Sequence, residues 1–313
     1  MNVEPVDART ASDETLRTIV EIERACSHED QPTLPVPSVD DRIAFHRHRP
    51  ESDASCHWLA EGGFAAIYMH GPRATTLQLC VQPERRRSGI GTALLTAVLQ
   101  VAPPLGVEAL FAAHSTPAGA AFAARHGFAD GQRVVRSLLD LQAAALPQPA
   151  PPDGFGLATW LGRVPEEHLA AYVRGRAAMD DAPDPEGMEF PSATAEQVRG
   201  WEEALARRGR EMRVTAVLDA EGEVASFTEV RLTPGSALCT TEDTGTVAEH
   251  RGRGLARAAK LESLRRLRVD RPEVEVVSTE NAEENVVMLG LNESLGFRRA
   301  VVLTMAALEF GRD

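Results

Sequence analysis

Two short segments rich in arginine and glycine carry the clearest chemical signal in the sequence. Arg86-Arg87-Ser88-Gly89-Ile90-Gly91 and Arg251-Gly252-Arg253-Gly254-Leu255-Ala256 both read R-x-x-G-x-[G/A], and Gly254 follows Gly89 by 165 residues in a chain of 313. Each segment follows an apolar, strand-like run and opens an apolar, helix-like one. A strand, a tight glycine turn and a helix start leave several backbone N–H groups unpaired and pointing one way. The helix dipole adds partial positive charge there, which suits a diphosphate. Gly89, Gly91, Gly252 and Gly254 let the backbone approach a ligand with no Cβ in the way. Arg86, Arg87, Arg251 and Arg253 add charge and fork-shaped donors. One such loop is ordinary turn punctuation; two in matched contexts point to a repeated anion site. G-x-G-x-x-G and G-x-x-x-x-G-K-[S/T] are absent from both loops, which argues against a dinucleotide fold and a nucleotide triphosphatase.

Such a loop needs a strand before it and a helix after it. In the first half, residues 14–25 read as a helix, and 64–69 and 76–81 as strands around a Gly71-Pro72 turn. After the loop, Leu94, Leu95, Val98, Leu99 and Val101 recur at helical spacing. Residues 110–113 read as a strand, 118–125 as a helix and 133–141 as a closing strand. The second half repeats this order, with strands at 224–232 and 245–247, a helix at 255–267, a strand at 274–277, a helix at 283–295 and a last strand at 299–308. The 255–267 helix sets Leu261, Leu264 and Leu267 opposite Arg257, Lys260, Arg265 and Arg268. Residues 178–210 read as a polar loop followed by a charged helix at 196–208. Asp180, Asp181, Asp184 and Glu186 in that loop read as a solvated face, with recruitment of a cationic acceptor as the sharper alternative. Alternating strands and helices predict an α/β fold on mixed sheets. The chain is too long for one core. The proline-dense stretch from Leu146 to Gly154 divides it into domains 1–145 and 155–313 with a linker at 146–154.

A net charge of −13 argues against nucleic acid or an anionic membrane as partner. It suits a cationic small molecule, a basic peptide or mere solubility. Cys26, Cys56, Cys80 and Cys239 form no C-x-x-C pair and no metal spacing, and read as reduced thiols of a cytoplasmic protein. Met1-Asn2-Val3-Glu4-Pro5 lacks the basic start and apolar core of a signal peptide, and no apolar run reaches membrane-spanning length.

The run from Val81 to Gly91 closely resembles the acetyl-CoA loop of the GCN5-related N-acetyltransferases (GNAT), and the run from Val247 to Ala256 resembles it again. Each is followed at a fitting distance by a helix ending in Gly-Phe, at Gly127-Phe128 and Gly296-Phe297. The whole is similar to a tandem GNAT arrangement of the mycothiol-synthase kind. The resemblance implies two acyl-CoA N-acyltransferase domains and acetyl-CoA as cosubstrate, with no metal. The diphosphate would sit on Val247, Arg251, Gly252, Arg253, Gly254, Leu255 and Ala256, and in the first half on Val81, Arg86, Arg87, Ser88, Gly89, Ile90 and Gly91. The pantetheine arm would run between two splayed strands. A primary amine, freed of its proton by a general base, would attack the thioester carbonyl. A backbone N–H would stabilise the oxyanion and an acid would protonate the thiolate.

The family often places its catalytic carboxylate on the fourth strand. Aligning Glu61-Gly62 with Glu221-Gly222 sets Glu229 opposite Met69, so Glu229 is the expected base, against the plainer reading of a solvent-facing residue. Asn281 and Asn285 match the family's asparagine for the pantetheine arm, and Asn281 also reads as a helix cap. The matching stretch 113–119 has no asparagine. The family's tyrosine acid, four residues before the Gly-Phe glycine, is replaced by Asn292 in the second half and by Ala123 in the first. Asn292 is expected in the catalytic centre, bonding cofactor or backbone near the thioester, while water or another group protonates the thiolate. The second domain is therefore expected to be catalytic, and the first a non-catalytic or cofactor-binding scaffold. Tyr68 and His70 share a face and keep open an active first domain. His28, His46, His48 and His57 read as surface or packing residues. His250 could touch a phosphate.

The expected function is transfer of an acetyl group from acetyl-CoA to the primary amine of a small molecule. The alternatives are a non-catalytic acyl-CoA-binding or sensing module and a protein N-acetyltransferase. Two repeats can mimic a homodimer within one chain, which favours a monomer over a homodimer.

Overall fold

The computed structural model describes residues 2–36, 38–48, 54–71, 73, 75–179, 193–233 and 235–310; Asp180, Asp181, Asp184 and Glu186 lie outside the described residues. The first half runs β1 (Glu4–Val6), α1 (Asp13–Asp30), α2 (Val39–Arg47), β2 (Ala54–Ala60), β3 (Gly63–Met69), β4 (Thr75–Val81), α3 (Ile90–Val101), β5 (Ala109–His114), α4 (Pro117–Arg125) and β6 (Ala129–Asp140). The second runs β7 (Gly156–Leu161), α5 (Glu166–Arg176), α6 (Ala195–Arg207), β8 (Glu211–Leu218), β9 (Val224–Leu232), β10 (Leu238–Thr246), α7 (Leu255–Asp270), β11 (Val276–Ala282), α8 (Val286–Ser294) and β12 (Arg298–Glu309). The class is the expected α/β fold on mixed strands, parallel and antiparallel.

The chain forms two compact units whose closing strands are exchanged. Residues 1–134 are completed by 301–313, and residues 135–183 continue with 191–300. The division therefore differs from a cut at 146–154, and the reason lies in which core each strand feeds. Leu139 and Leu141, at the end of β6, pack with Val230, Leu232, Leu261 and Leu264 of the second unit. Ala306 of β12 packs with Ile67, Leu94 and Leu110 of the first. β12 runs antiparallel to β5, from Thr304↔His114 to Glu309↔Ala109.

Within each unit the sheet is covered on both faces. In the first, Phe64, Ala66 and Tyr68 of β3 meet Leu16, Ile19 and Cys26 of α1, while Ala65 and Ile67 face Ile90, Leu94 and Val98 of α3. In the second, Phe227 of β9 meets Tyr172 of α5 and Val198 of α6, while Val230 and Leu232 face Leu261 and Leu264 of α7. The period-two alternation of strand side chains sorts these contacts. Two sequence readings are corrected here. Three strands, β7, β8 and β9, precede β10 in the second half, so Glu229 on β9 sits on the third strand; the fourth is β10, of which only 245–247 was legible. Lys260, placed on the polar face of its helix, is only 3% exposed.

Because β12 completes the first unit, a chain ending at residue 300 should lose amide-exchange protection in β5 and β4 while α7 and β9 keep theirs. Equal loss in both regions would contradict the exchange.

Candidate active site

The site is built on an interrupted strand. β10 pairs in parallel with β11 from Leu238↔Val276 to Thr241↔Thr279 and no further. Against β9, Thr241 faces Val230 and Thr244 faces Thr228, so Glu242 and Asp243 together oppose Glu229. This two-for-one bulge bends the strand and re-aims its side chains. Beyond it, a cleft of about 540 Å³ runs past Thr244, Gly245 and Thr246 to the glycine loop, with Asn285, Met288 and Leu291 on its far wall.

The loop ends the cleft with free donors. Gly252 and Gly254 both take φ +77°, a left-handed conformation that favours glycine. No side chain caps α7 and no acidic residue occupies its first turn. The same holds for α3 after Gly89. By contrast Ser12, Ser38, Thr116, Thr194 and Asn285 cap α1, α2, α4, α6 and α8. The first-turn amides of α7 therefore face the cleft without a competing side chain. Arg251, Gly252, Gly254, Leu255 and Ala256 line it, as does His250. The Val247 amide donates to the Ala225 carbonyl at 3.0 Å, and the Arg253 guanidinium lies 6.0 Å from the Phe155 ring.

The first loop has the same backbone but a different setting. Arg86 forms a bidentate pair with Asp30 at 3.0 and 2.8 Å and donates to the Val81 carbonyl. Arg87 takes φ +65° where the second loop has Gly252. Ser88 donates back to the Arg85 carbonyl, Gly89 has φ +88°, and Ile90 is buried. A Cβ on Gly91 would lie 3.0 Å from the Phe122 ring, which stacks at 4.4 Å on His126. Phe122 also lines a cavity of about 110 Å³ in this unit. No carboxylate occurs on β4. Tyr68 donates to Gln78 at 3.0 Å, which donates to Glu23, so its hydroxyl belongs to a packed network.

Glu229 is 1% exposed. One oxygen accepts from the Tyr172 hydroxyl at 2.9 Å and from Arg176 at 3.0 Å; the other accepts from Arg231 at 2.8 Å. Burial alone would raise its pKa, but Arg231 and Arg176 hold it below the usual carboxylate range. With its lone pairs engaged and its proton affinity lowered, Glu229 is equipped as an anchor and not as the expected base. Glu242, missed in the sequence, has the opposite character. Its nearest cation, Arg231, is 3.8 Å away, and 31% of its side chain reaches solvent. Surrounding protein raises its pKa, and the charges of Glu229 and Asp243 add to that rise. Asp243 is paired with Arg176.

Asn292 is 1% exposed, and its Nδ2 donates to Asn281 Oδ1 at 2.7 Å. The cap expected of Asn281 belongs to Asn285, whose Oδ1 accepts from the Met288 amide at 3.1 Å. Asn281 is the penultimate residue of β11.

Residues 16–128 match the Acetyltransferase (GNAT) family. A tandem GNAT protein from the clavulanic acid biosynthesis pathway superposes with a TM-score of 0.84 and 28% identity, over 100% of this chain and 99% of that one. The first half carries a GNAT domain, and the chain as a whole shares the tandem GNAT fold. It is 28% identical to a mycothiol acetyltransferase of Paenarthrobacter aurescens over 82% of this chain and 77% of that protein. It is 30% identical to one of Nocardia farcinica over 48% of this chain. The match spans about half the length of that Nocardia relative, 50%. A GCN5-related N-acetyltransferase from Sphaerobacter thermophilus shares the fold, with a TM-score of 0.72 at 16% identity, over 99% of this chain and 97% of that one. Among the described residues no helix is long and apolar enough to cross a membrane.

Removing the Glu229 carboxylate takes from Arg176 and Arg231 their shared buried anion and leaves them Asp243 and the more distant Glu242, so Glu229→Ala should cost about 1–3 kcal/mol in denaturant unfolding. Because its pKa is depressed, its stabilisation is present above the unfolded carboxylate pKa and lost as pH falls through the folded value. Glu229→Gln should therefore flatten the acid limb of stability against pH. A variant as stable as the wild type would contradict the anchoring role.

Proposed function

We propose that this protein is an acetyl-CoA-dependent N-acetyltransferase that acts through its second unit on the primary amine of a small molecule. The observation that carries the reading is the cleft along β10, which runs from uncapped helix-start amides to Thr244, two residues past Glu242 in the strand. Amides of Gly252 to Ala256 would hold the diphosphate. The open edge of Thr244 to Thr246, with Asn281 and Asn285, would hold the pantetheine arm. Glu242 would take a proton from the acceptor ammonium, directly or through water. The neutral nitrogen then bonds to the thioester carbonyl carbon, and collapse of the tetrahedral adduct breaks the C–S bond. Asn292 carries no acidic proton, so the proton that the adduct nitrogen sheds would reach the departing thiolate through water.

The relatives named mycothiol acetyltransferase support a small-molecule acceptor. The smaller cavity and Phe122 ring of the first unit support a scaffold there that does not take acyl-CoA. Its loop arginine neutralised by Asp30 supports the same assignment.

Calorimetry with acetyl-CoA should give one site per chain, abolished by Gly254→Glu and retained in Gly89→Glu. Loss in Gly89→Glu alone would reverse the assignment of the working unit, and no binding by the wild type would remove the acetyltransferase reading.

Against a panel of primary amines, Glu242→Gln should lower kcat roughly 10²–10⁴-fold with acetyl-CoA binding intact. It should also abolish the acid limb of the rate profile, where wild-type activity falls as pH drops through the raised Glu242 pKa. Unchanged turnover would return the base to another group.

A further inference from the structure

Two of the cysteines meet on the face of the first unit that α1 covers. Cys80 lies opposite Phe64 in the β3–β4 ladder, and cross-strand partners share a face. Phe64 and Cys26 belong to the core beneath α1, and Cys80 packs against that core. Cys26 continues the stripe of Ile19 and Glu23 that α1 buries. Its Sγ lies 3.2 Å from the carbonyl oxygen of Val81, the residue that follows Cys80 in the chain. The two side chains are hydrogen-bonded to each other, and both are free thiols. Arg86 donates to the same Val81 carbonyl and pairs with Asp30 of α1, so helix and strand are also gripped together one turn of helix further on. The proposed acetyl transfer, placed in the second unit, uses neither thiol.

We propose that Cys26 and Cys80 form an oxidisable dithiol: a hydroperoxide converts Cys26 to a sulfenic acid, and Cys80 resolves it as an intramolecular disulfide that ties α1 to β4 at the foot of the first glycine loop. In the first step the Cys26 thiolate attacks one oxygen of hydrogen peroxide. The O–O bond breaks, and the other oxygen leaves as water with the proton that Cys26 gave up. In the second step the Cys80 sulfur attacks the Cys26 sulfur. The S–O bond breaks, and its oxygen leaves as a second water with the Cys80 proton. Two thiols and one peroxide thus become one disulfide and two waters, and the sulfurs lose the two electrons that the peroxide gains.

The surroundings divide the two roles. The hydrogen bond from Cys80 lowers the Cys26 pKa most; burial opposes it, and the Arg86 guanidinium lowers it further against the charge of Asp30. Cys80 moves the other way, raised well above the ordinary thiol value by donating to Cys26 and by burial. Cys26 is therefore the thiol that ionises and attacks, and Cys80 is the one that keeps the proton needed to release water. Burial raises the Cys56 thiol and pushes Cys239 up to about 12, so neither competes for an oxidant at neutral pH. Cys26 is 6% exposed beside the half-buried Cys80, which suits a small, uncharged oxidant.

The test treats the native full chain with hydrogen peroxide at neutral pH and maps its thiols by mass. Trypsin puts the four cysteines in four separate peptides, 25–42, 48–73, 74–85 and 232–251, so the bridge is read directly. The wild type should give peptide 25–42 linked to 74–85 with the loss of two hydrogens, reversed by dithiothreitol, while Cys56 and Cys239 stay reduced. In Cys80→Ser, Cys26 should stop at a sulfenic acid that dimedone traps. The same treatment in urea should lose this selectivity. Oxidation that starts at Cys56 or Cys239, a wild-type Cys26 that passes to sulfinic acid without linking, or no oxidation at all would overturn the proposal. Selectivity that survives in urea would overturn it too, because the folded arrangement would then not direct the bridge. The wild-type map needs no substitution, so the test stands even where a variant fails to fold.

Discussion

The site depends on β10 parting from β11 after Thr241. Parallel strands that stayed paired would bury the Thr244–Thr246 edge and leave no channel between sheet and α8. The bulge at Glu242 and Asp243 ends that pairing. It releases backbone groups that must find another partner, and it sets two carboxylates opposite Glu229 just before the cleft. The glycine loop then needs only to supply its N-terminal amides at the far end. Open edge, carboxylate and anion-binding turn thus follow from one local irregularity placed two residues before the cleft begins.

Next to the bulge, charge is sorted between two glutamates. Glu229 and Glu242 are neighbours across β9 and β10, yet their proton affinities move in opposite directions. The difference comes from partners. Arg176 and Arg231 saturate Glu229 and make it a fixed anion. Burial raises the proton affinity of Glu242 and the fixed anion adds to that rise, against the opposing pull of the more distant Arg231. A pair of carboxylates whose surroundings push their pKa values apart divides structural and proton-transfer work between them.

The loops, the Gly-Phe helix ends and the twofold repeat were legible because each depends on glycine at a left-handed position or on strict helical spacing. Gly89, Gly127, Gly254 and Gly296 all have positive φ. β10 was largely illegible. Its sequence, with Thr240, Thr241, Glu242, Asp243 and Thr244 in succession, lacks the apolar alternation of a half-buried strand. Losing that strand shifted the count by one and moved the expected base from the fourth strand to Glu229. The exchange of β6 and β12 was also hidden, because both strands have the same alternating pattern and nothing local says which core they feed. Lys260 was misread for a simpler reason. A cation at a helical position is assigned to solvent by pattern, and only packing shows that it points inward.

The two halves show why a loop motif is a necessary part of such a site and not a sufficient one. Both loops set an uncapped helix start behind a glycine turn. Five residues before the Gly-Phe glycine, however, the first unit has Phe122 and the second Leu291. An aromatic ring held by His126 and pressed against Gly91 fills space that a leucine leaves open, and the cavities differ accordingly, about 110 against 540 Å³. Asp30 then neutralises Arg86, the charge that would have met a phosphate. Leu95 stands in the first unit where Lys260 stands in the second, and Ala123 where Asn292 stands. Buried polar side chains of the second unit thus meet apolar ones at the matching positions of the first, beside the smaller of the two cavities.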